Sequence, residues 1–153
     1  MDTRKTTPNL RVFEKRAVVH GGGLNHRFGL YDMIMIKDNH IDFAGGIPSA
    51  LKKAHDYSQN LPHPLAIEIE ARNLSEVQEI LDCGLGNRIM LDNFSIEDTK
   101  TAVQLINGRY ETESSGGINE KTIRNYAECG VDYISSGALT HSVYNMDLSL
   151  KAV

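Results

Sequence analysis

Five cationic side chains stand in short segments of the first forty residues: Arg4 and Lys5, His26 and Arg27, and Lys37. Arginine's planar fork matches a carboxylate or phosphate in bidentate fashion, and lysine adds a compact point charge. Brought together, the five make a pocket for a small anion; kept apart, they are solvated surface charges, and composition alone leaves both readings open. Lys37 follows the apolar run Met33-Ile34-Met35-Ile36, where a strand leaves the core. At that place a lysine binds an anion, forms a Schiff base or is an ordinary strand-end residue.

Alternation in Ile67-Glu68-Ile69-Glu70 puts both glutamates on one strand face and both isoleucines on the other. With helices on the isoleucine face, two carboxylates lie inside, where burial calls for basic partners or a metal ion. Glu70, nearer the strand's C-terminal end, is the ligand-facing candidate, and Glu68 reads as structural, paired with a basic residue. Asp92 ends the next strand, in Leu91-Asp92-Asn93-Phe94. Together Glu70 and Asp92 suit Mg²⁺, held through water, or ribose hydroxyls; alternatively Asp92 caps a helix near Ser95.

Ser114-Ser115-Gly116-Gly117-Ile118 and Ser135-Ser136-Gly137-Ala138-Leu139 each follow an apolar strand and precede a helix. Small residues leave backbone N–H groups open, and a helix N-terminus favours an anion. Two such loops in the last two units match the phosphate site of α/β barrels; the alternative is a pair of tight turns.

The elements that must position these groups are repeated βα units, since strand-length apolar runs alternate with helix-period segments. Strands are expected at 33–36, 65–70, 88–91, 110–113 and 131–135. Helices are expected at 47–58, 74–83, 95–107 and 119–129, with a first one entered at Pro8. Such strands form a parallel sheet with helical crossovers. A complete TIM barrel takes eight units and roughly 200–250 residues. The expectation is therefore one α/β domain, 1–153, a partial, open TIM-like barrel whose first strand would lie ahead of Met1.

Charge narrows the partners. The net charge of −4 conceals +3 over residues 1–40, from seven Lys/Arg against four Asp/Glu, and −7 over the remainder. One basic segment in an acidic chain suits a small anionic ligand and argues against a nucleic acid, which needs a broad basic face. No apolar run reaches the roughly 18 residues of a membrane span, and the opening residues lack a signal peptide's apolar stretch. A cytoplasmic protein with no membrane partner is expected. Cys83 and Cys129 form no CxxC or disulfide framework and read as buried thiols.

Seven stretches in this order carry a family resemblance: Thr3-Arg4-Lys5-Thr6-Thr7-Pro8, Gly21-Gly22-Gly23-Leu24-Asn25-His26-Arg27, Ile36-Lys37-Asp38-Asn39-His40, Glu68-Ile69-Glu70, Leu91-Asp92-Asn93-Phe94, Glu113-Ser114-Ser115-Gly116-Gly117 and Gly137-Ala138-Leu139-Thr140-His141-Ser142. Over essentially its full length the chain resembles the C-terminal part of quinolinate phosphoribosyltransferase, the carboxylating nicotinate-nucleotide pyrophosphorylase of NAD biosynthesis. The resemblance implies transfer of a phosphoribosyl group from 5-phosphoribosyl-1-pyrophosphate to quinolinate with Mg²⁺, releasing pyrophosphate and carbon dioxide and leaving nicotinate mononucleotide.

It implies, too, that Thr3, Arg4, Lys5, His26, Arg27 and Lys37 surround the quinolinate carboxylates and that Lys5, Lys37, Glu70 and Asp92 are the catalytic groups. Glu70 and Asp92 would serve the ribose and the metal, directly or through water, while Ser115, Gly116, Gly117, Ser136, Gly137 and Ala138 cradle the 5-phosphate. Family members are homo-oligomers, dimer or hexamer, of a chain nearly twice as long, whose N-terminal domain donates an arginine to a neighbour's quinolinate site. Weak or no activity is therefore expected of this chain alone. The competing readings are a Schiff-base aldolase acting through Lys37 and a non-catalytic fragment that binds phosphorylated ligands.

Overall fold

Alternating side chains give the sheet two chemically different faces. In the computed structural model, which describes residues 1–152, strands β1 (Ile34–Ile36), β2 (Ile67–Ala71), β3 (Arg88–Asp92), β4 (Glu111–Ser115) and β5 (Tyr133–Ile134) pair in parallel in chain order. Helices α1 (Arg11–His20), α2 (Asp38–Ala44), α3 (Ile47–Gln59), α4 (Leu74–Cys83), α5 (Ile96–Ile106), α6 (Ile123–Ala127) and α7 (Ala138–His141) intervene or flank. Ile36, Ile67, Ile69, Ile89 and Leu91 from the strands join Leu51, Val77, Ile80, Ala102 and Ile106 from α3, α4 and α5 in one buried cluster. Each isoleucine, leucine and valine side chain among them contributes roughly 1.5–3 kcal/mol by leaving water. The opposite face carries Glu68, Glu70, Arg88, Glu113 and Asp92, so this sheet covers a polar interior.

The register brings chemical groups level with one another. Glu70 pairs with Met90, and Asp92 with Ser115, so the second acid stands beside the first glycine loop. Beyond β5, residues 1–2 extend the ring: the Met1 amino group donates to Ile134 O, and Ser136 N–H donates to Met1 O at 3.0 Å. Asp2 N–H then donates to Leu24 O at 3.0 Å. The open parallel sheet is as expected, but part of the ring beyond its last strand is supplied by irregular segments.

Several expected elements shift. The first helix begins at Arg11 rather than Pro8, because Asn9 takes a positive φ of 66°, incompatible with a right-handed helix. The helix expected at 119–129 shrinks to Ile123–Ala127; Asn119 Oδ1 instead takes Lys121 N–H at 3.0 Å, holding the chain in a turn. Helix α2 (Asp38–Ala44) was not foreseen, and the helix expected after the second glycine loop is the short α7. Ser95, not Asp92, caps α5, its side chain accepting from Asp98 N–H, which leaves Asp92 free for the site. Cys129 is buried as expected, whereas Cys83 is half-buried.

Candidate active site

At the C-terminal ends of the strands lie two adjoining recesses. A cleft of about 670 Å³ is lined by Asp92, Ser115, Gly116, Gly117, Ser136, Gly137 and Ala138. A smaller recess of about 170 Å³ is lined by Arg4, His26 and Arg27. Thr3, Lys5, Lys37, Glu70 and Ser115 border both. The candidates named from the sequence thus converge on one site, which further takes in Met35, Asp38, Met90, Asn93, Asn119, Ser135 and His141. Of these, Met35, Met90 and Ser135 share strand parity with the expected residues, a signal present in the alternation.

The cationic recess is electrostatically loaded. Burial, and then the charge of Arg4, lower the Arg27 pKa from its ordinary value, a repulsion that a dicarboxylate relieves. Arg27 Nη1 donates to Met33 O at 3.4 Å. Lys37 Nζ forms an ion pair with Glu70 Oε1. An ammonium so paired is not the desolvated free amine that Schiff-base chemistry requires, which counts against the aldolase reading.

His26 lines the cationic recess and is held from within. Its Nε2 faces inward, 2.9 Å from Glu68 Oε2 and 3.5 Å from Glu113 Oε2, in a contact that is ionic in distance but poorly aligned as a hydrogen bond. Its Nδ1 accepts from Arg27 N–H at 2.7 Å. The ring thus lines the recess with Nε2 turned toward the buried carboxylates and Nδ1 beside the Arg27 N–H.

Burial lowers the His26 pKa, but the Glu113 and Glu68 carboxylates outweigh it and raise the value to about 9. The Arg27 N–H opposes a second proton on Nδ1; two buried carboxylates outweigh this neutral hydrogen bond. Burial raises the Glu68 carboxyl despite His26, whereas His26 holds Glu113 below its ordinary value against the same burial. His26, Glu68 and Glu113 lie close enough to share a metal ion. However, Nε2 carries a proton whether the ring is neutral or charged, so it offers no lone pair to a metal.

The sign of the pH dependence follows from the raised value. Stability from the charged His26 is fully present below pH 6.5 and lost as pH rises through about 9. Imidazole NMR should show a midpoint near 9, with urea stability falling over the same interval. A midpoint at the ordinary histidine value would contradict this assignment.

The phosphate half needs correction. Ser136 was expected to offer its N–H to a phosphate, but that group donates to Met1 O at 3.0 Å and its Oγ to Ile118 O at 2.8 Å. It is occupied in closing the ring. Among the described residues, the N–H groups of Gly116, Gly117 and Gly137 have no protein acceptor. Helix α6 starts several residues past Gly117, so its dipole does not reach the first loop as expected, and α7 is a single turn.

Two carboxylates suit a divalent cation. Glu70 is engaged through Oε1 by Lys37, and Asp92 through Oδ2 by Asn93 Nδ2 at 2.9 Å. The other oxygen of each has no protein partner among the described residues. One or two carboxylates, completed by water and substrate phosphates, is the donor set Mg²⁺ accepts.

Residues 1–151 match the family model described as "Quinolinate phosphoribosyl transferase, C-terminal domain". The chain is 48% identical to the chloroplastic nicotinate-nucleotide pyrophosphorylase [carboxylating] of Arabidopsis thaliana, over 99% of this chain and 47% of that protein. It is 48% identical to a probable nicotinate-nucleotide pyrophosphorylase [carboxylating] of Synechocystis sp., covering 100% of this chain and 52% of the other. The crystal structure of NadC from Streptococcus pyogenes superposes with a TM-score of 0.91 at 47% identity, over 99% of this chain and 52% of that one. A thiamine phosphate pyrophosphorylase from Pyrococcus furiosus, at 16% identity and TM-score 0.53, shares the fold alone. The chain spans about half the length of the curated relatives it matches. With the sequence match running from the Thr3–Thr6 loop to the last glycine loop, the chain belongs to the quinolinate phosphoribosyl transferase C-terminal domain family.

Proposed function

We propose that residues 1–153 form the incomplete barrel domain of an enzyme that transfers the phosphoribosyl group of 5-phosphoribosyl-1-pyrophosphate to quinolinate with decarboxylation. The observation that carries this reading is the junction of a cationic recess and a loop-lined cleft through shared Lys5, Lys37, Glu70 and Ser115. A ring bearing two carboxylates suits a recess with Arg4, Lys5, Arg27 and Lys37 better than nicotinate, which bears one. Gly116, Gly117, Gly137 and Ala138 receive the 5-phosphate through backbone N–H groups.

Between the two subsites, Glu70 and Asp92 border the ribose. As the bond from C1 to pyrophosphate breaks, positive charge develops at C1 and these carboxylates stabilise it. The quinolinate nitrogen forms the new bond to C1, and the quaternised ring then accepts the electron pair left as the adjacent carboxylate departs as carbon dioxide. Water supplies the replacing proton. The residues thus mainly align two substrates, which by itself accounts for much of a bimolecular barrier. Glu70 and Asp92 would hold Mg²⁺, which when bound neutralises charge on the departing pyrophosphate.

A homo-oligomer carries over from the family resemblance, and Phe13, Leu30, Tyr31 and Phe43 are exposed apolar side chains of the kind that a subunit contact covers. Two unpaired cysteines suit a reducing compartment such as the cytoplasm, and no described helix is long and apolar enough to cross a membrane. NMR of the folded chain with quinolinate, 5-phosphoribosyl-1-pyrophosphate and Mg²⁺ tests the reaction. Binding of both substrates and slow formation of nicotinate mononucleotide, dependent on quinolinate, is expected. Failure to bind either, or turnover of nicotinate in place of quinolinate, would contradict the proposal.

A further inference from the structure

Four of the cationic groups in the smaller recess, Arg4, Lys5, His26 and Arg27, lie on irregular backbone rather than on strands. Something other than a β-ladder must hold the two segments in register. Asp2 and Lys15, 0% and 1% exposed, are both removed from water directly behind them. Lys15 Nζ donates to Asp2 Oδ1 at 2.7 Å and to His26 O at 2.9 Å. The same Asp2 oxygen accepts from His26 N–H at 2.7 Å, and Asp2 N–H donates to Leu24 O at 3.0 Å. With the Asn25 amide turned to satisfy both partners, its nitrogen donates to Asp2 Oδ2 at 2.7 Å and Lys15 O at 2.9 Å.

The recess-facing residues follow immediately. Asp2 is two positions before Arg4, and the Lys15 and Asp2 contacts fall on His26 itself, adjoining Arg27. Helix α1 adds a second, outer tie: Arg11, one turn before Lys15, donates from Nη2 to Arg4 O at 3.5 Å and from Nη1 to Phe28 O at 3.3 Å. A helix that buries a lysine while leaving Phe13 68% exposed spends its inner face on an ion pair rather than on packing. Burying such a pair gains little stability over apolar side chains of the same size. Its geometric effect is specific, because it fixes both segments to one point.

We propose that Asp2 and Lys15 are positioning residues for the cationic half of the site: their buried pair sets the spacing between the Arg4–Lys5 and His26–Arg27 segments, and hence the recess that receives the dicarboxylate. Neither side chain of the pair hydrogen-bonds to the loops at 115–117 and 136–138; the one link between them among the described residues is backbone, from Ser136 N–H to Met1 O. The ligand assignment rests on the proposed function, but the geometric claim stands apart from it.

The test uses the whole chain and the variant Lys15→Met, with Asp2→Asn as a second variant that keeps an oxygen acceptor for His26 N–H. Quinolinate and 5-phosphoribosyl-1-pyrophosphate are titrated separately, and amide exchange is followed at His26 and at Ile69 in the core. A displacement of about 1 Å in a positioning group is worth up to ~100-fold, so quinolinate affinity should fall at least tenfold, with phosphoribosyl pyrophosphate affinity within about twofold. His26 exchange should accelerate at least tenfold while Ile69 stays protected. Equal loss of both affinities, or unchanged quinolinate affinity and His26 exchange in both variants, overturns the proposal. If the unaltered chain binds no quinolinate, the proposed function fails, and His26 exchange still decides for or against the positioning role.

Discussion

Arg88→Met is expected to destabilise the chain by about 3–5 kcal/mol in urea unfolding, the range for stripping the partner from a buried charge. Arg88 Nη1 lies 3.1 Å from Glu113 Oε2 and Nη2 lies 2.8 Å from Glu111 Oε2. Its guanidinium also sits 4.1 Å from the centre of the Tyr133 ring. Glu113 is fully buried, so loss of Arg88 leaves a carboxylate with no water to turn to. His26 remains 3.5 Å away and compensates in part, which favours the lower end of the range. Adding Glu113→Gln removes the stranded charge and should recover much of the loss. A single-variant effect below about 1 kcal/mol, the scale of an exposed pair, would show that this cluster is not electrostatically closed.

Gly116→Ala should weaken binding of 5-phosphoribosyl-1-pyrophosphate by roughly 100-fold or more. Gly116 takes a φ of +99°, and an added Cβ would fall 2.8 Å from the Asn93 backbone nitrogen and closer still to its side-chain oxygen. The Asn93 side chain can turn away, but its N–H is tied to Ser115 O at 2.9 Å, so the loop must move. Conformational strain of this kind amounts to about 1–3 kcal/mol, and displacement of the N–H groups adds the loss of anion contacts. Gly45→Ala serves as control: it has a φ of +88° with nothing within 4 Å of the added carbon, and lies away from both recesses. Titration followed by ³¹P NMR should show weakened binding for the first variant and unchanged binding for the second. Equal affinities would mean that the Gly116 conformation does not shape the phosphate site.

The contrast between these two positions shows what was legible beforehand. Gly116 stands in a glycine loop after an alternating strand, so local pattern sufficed to mark it. Helix α4 matched its expected range because Asn73 accepts from Glu76 N–H at one end and Gly84 takes the left-handed conformation at the other, both short-range signals. Glu68 was read as paired inside, and it is, but its partner His26 comes from a loop far away in sequence. Lys15 was invisible: apolar periodicity assigns exposed faces to charges, and α1 reverses the rule by burying Lys15 while exposing Val12 and Phe13. Ser136 was misassigned for the same reason, since its partner Met1 is distant in the chain and no local pattern reveals it. Most groups lining the two recesses were legible from type and spacing; those that hold them in place depend on long-range contacts.

In the proposed reaction two substrates occupy two halves of one site. The direct measurement is amide and side-chain NMR of the labelled chain, titrated first with quinolinate and then with 5-phosphoribosyl-1-pyrophosphate. Quinolinate should shift Arg4, Lys5, Arg27 and Lys37 and leave Gly116, Gly117 and Gly137 in place, and the second ligand should do the reverse while shifting Glu70 and Asp92. Quinolinate shifts confined to the glycine loops, or no shifts at the arginines and lysines under saturating ligand, would contradict the division of the site.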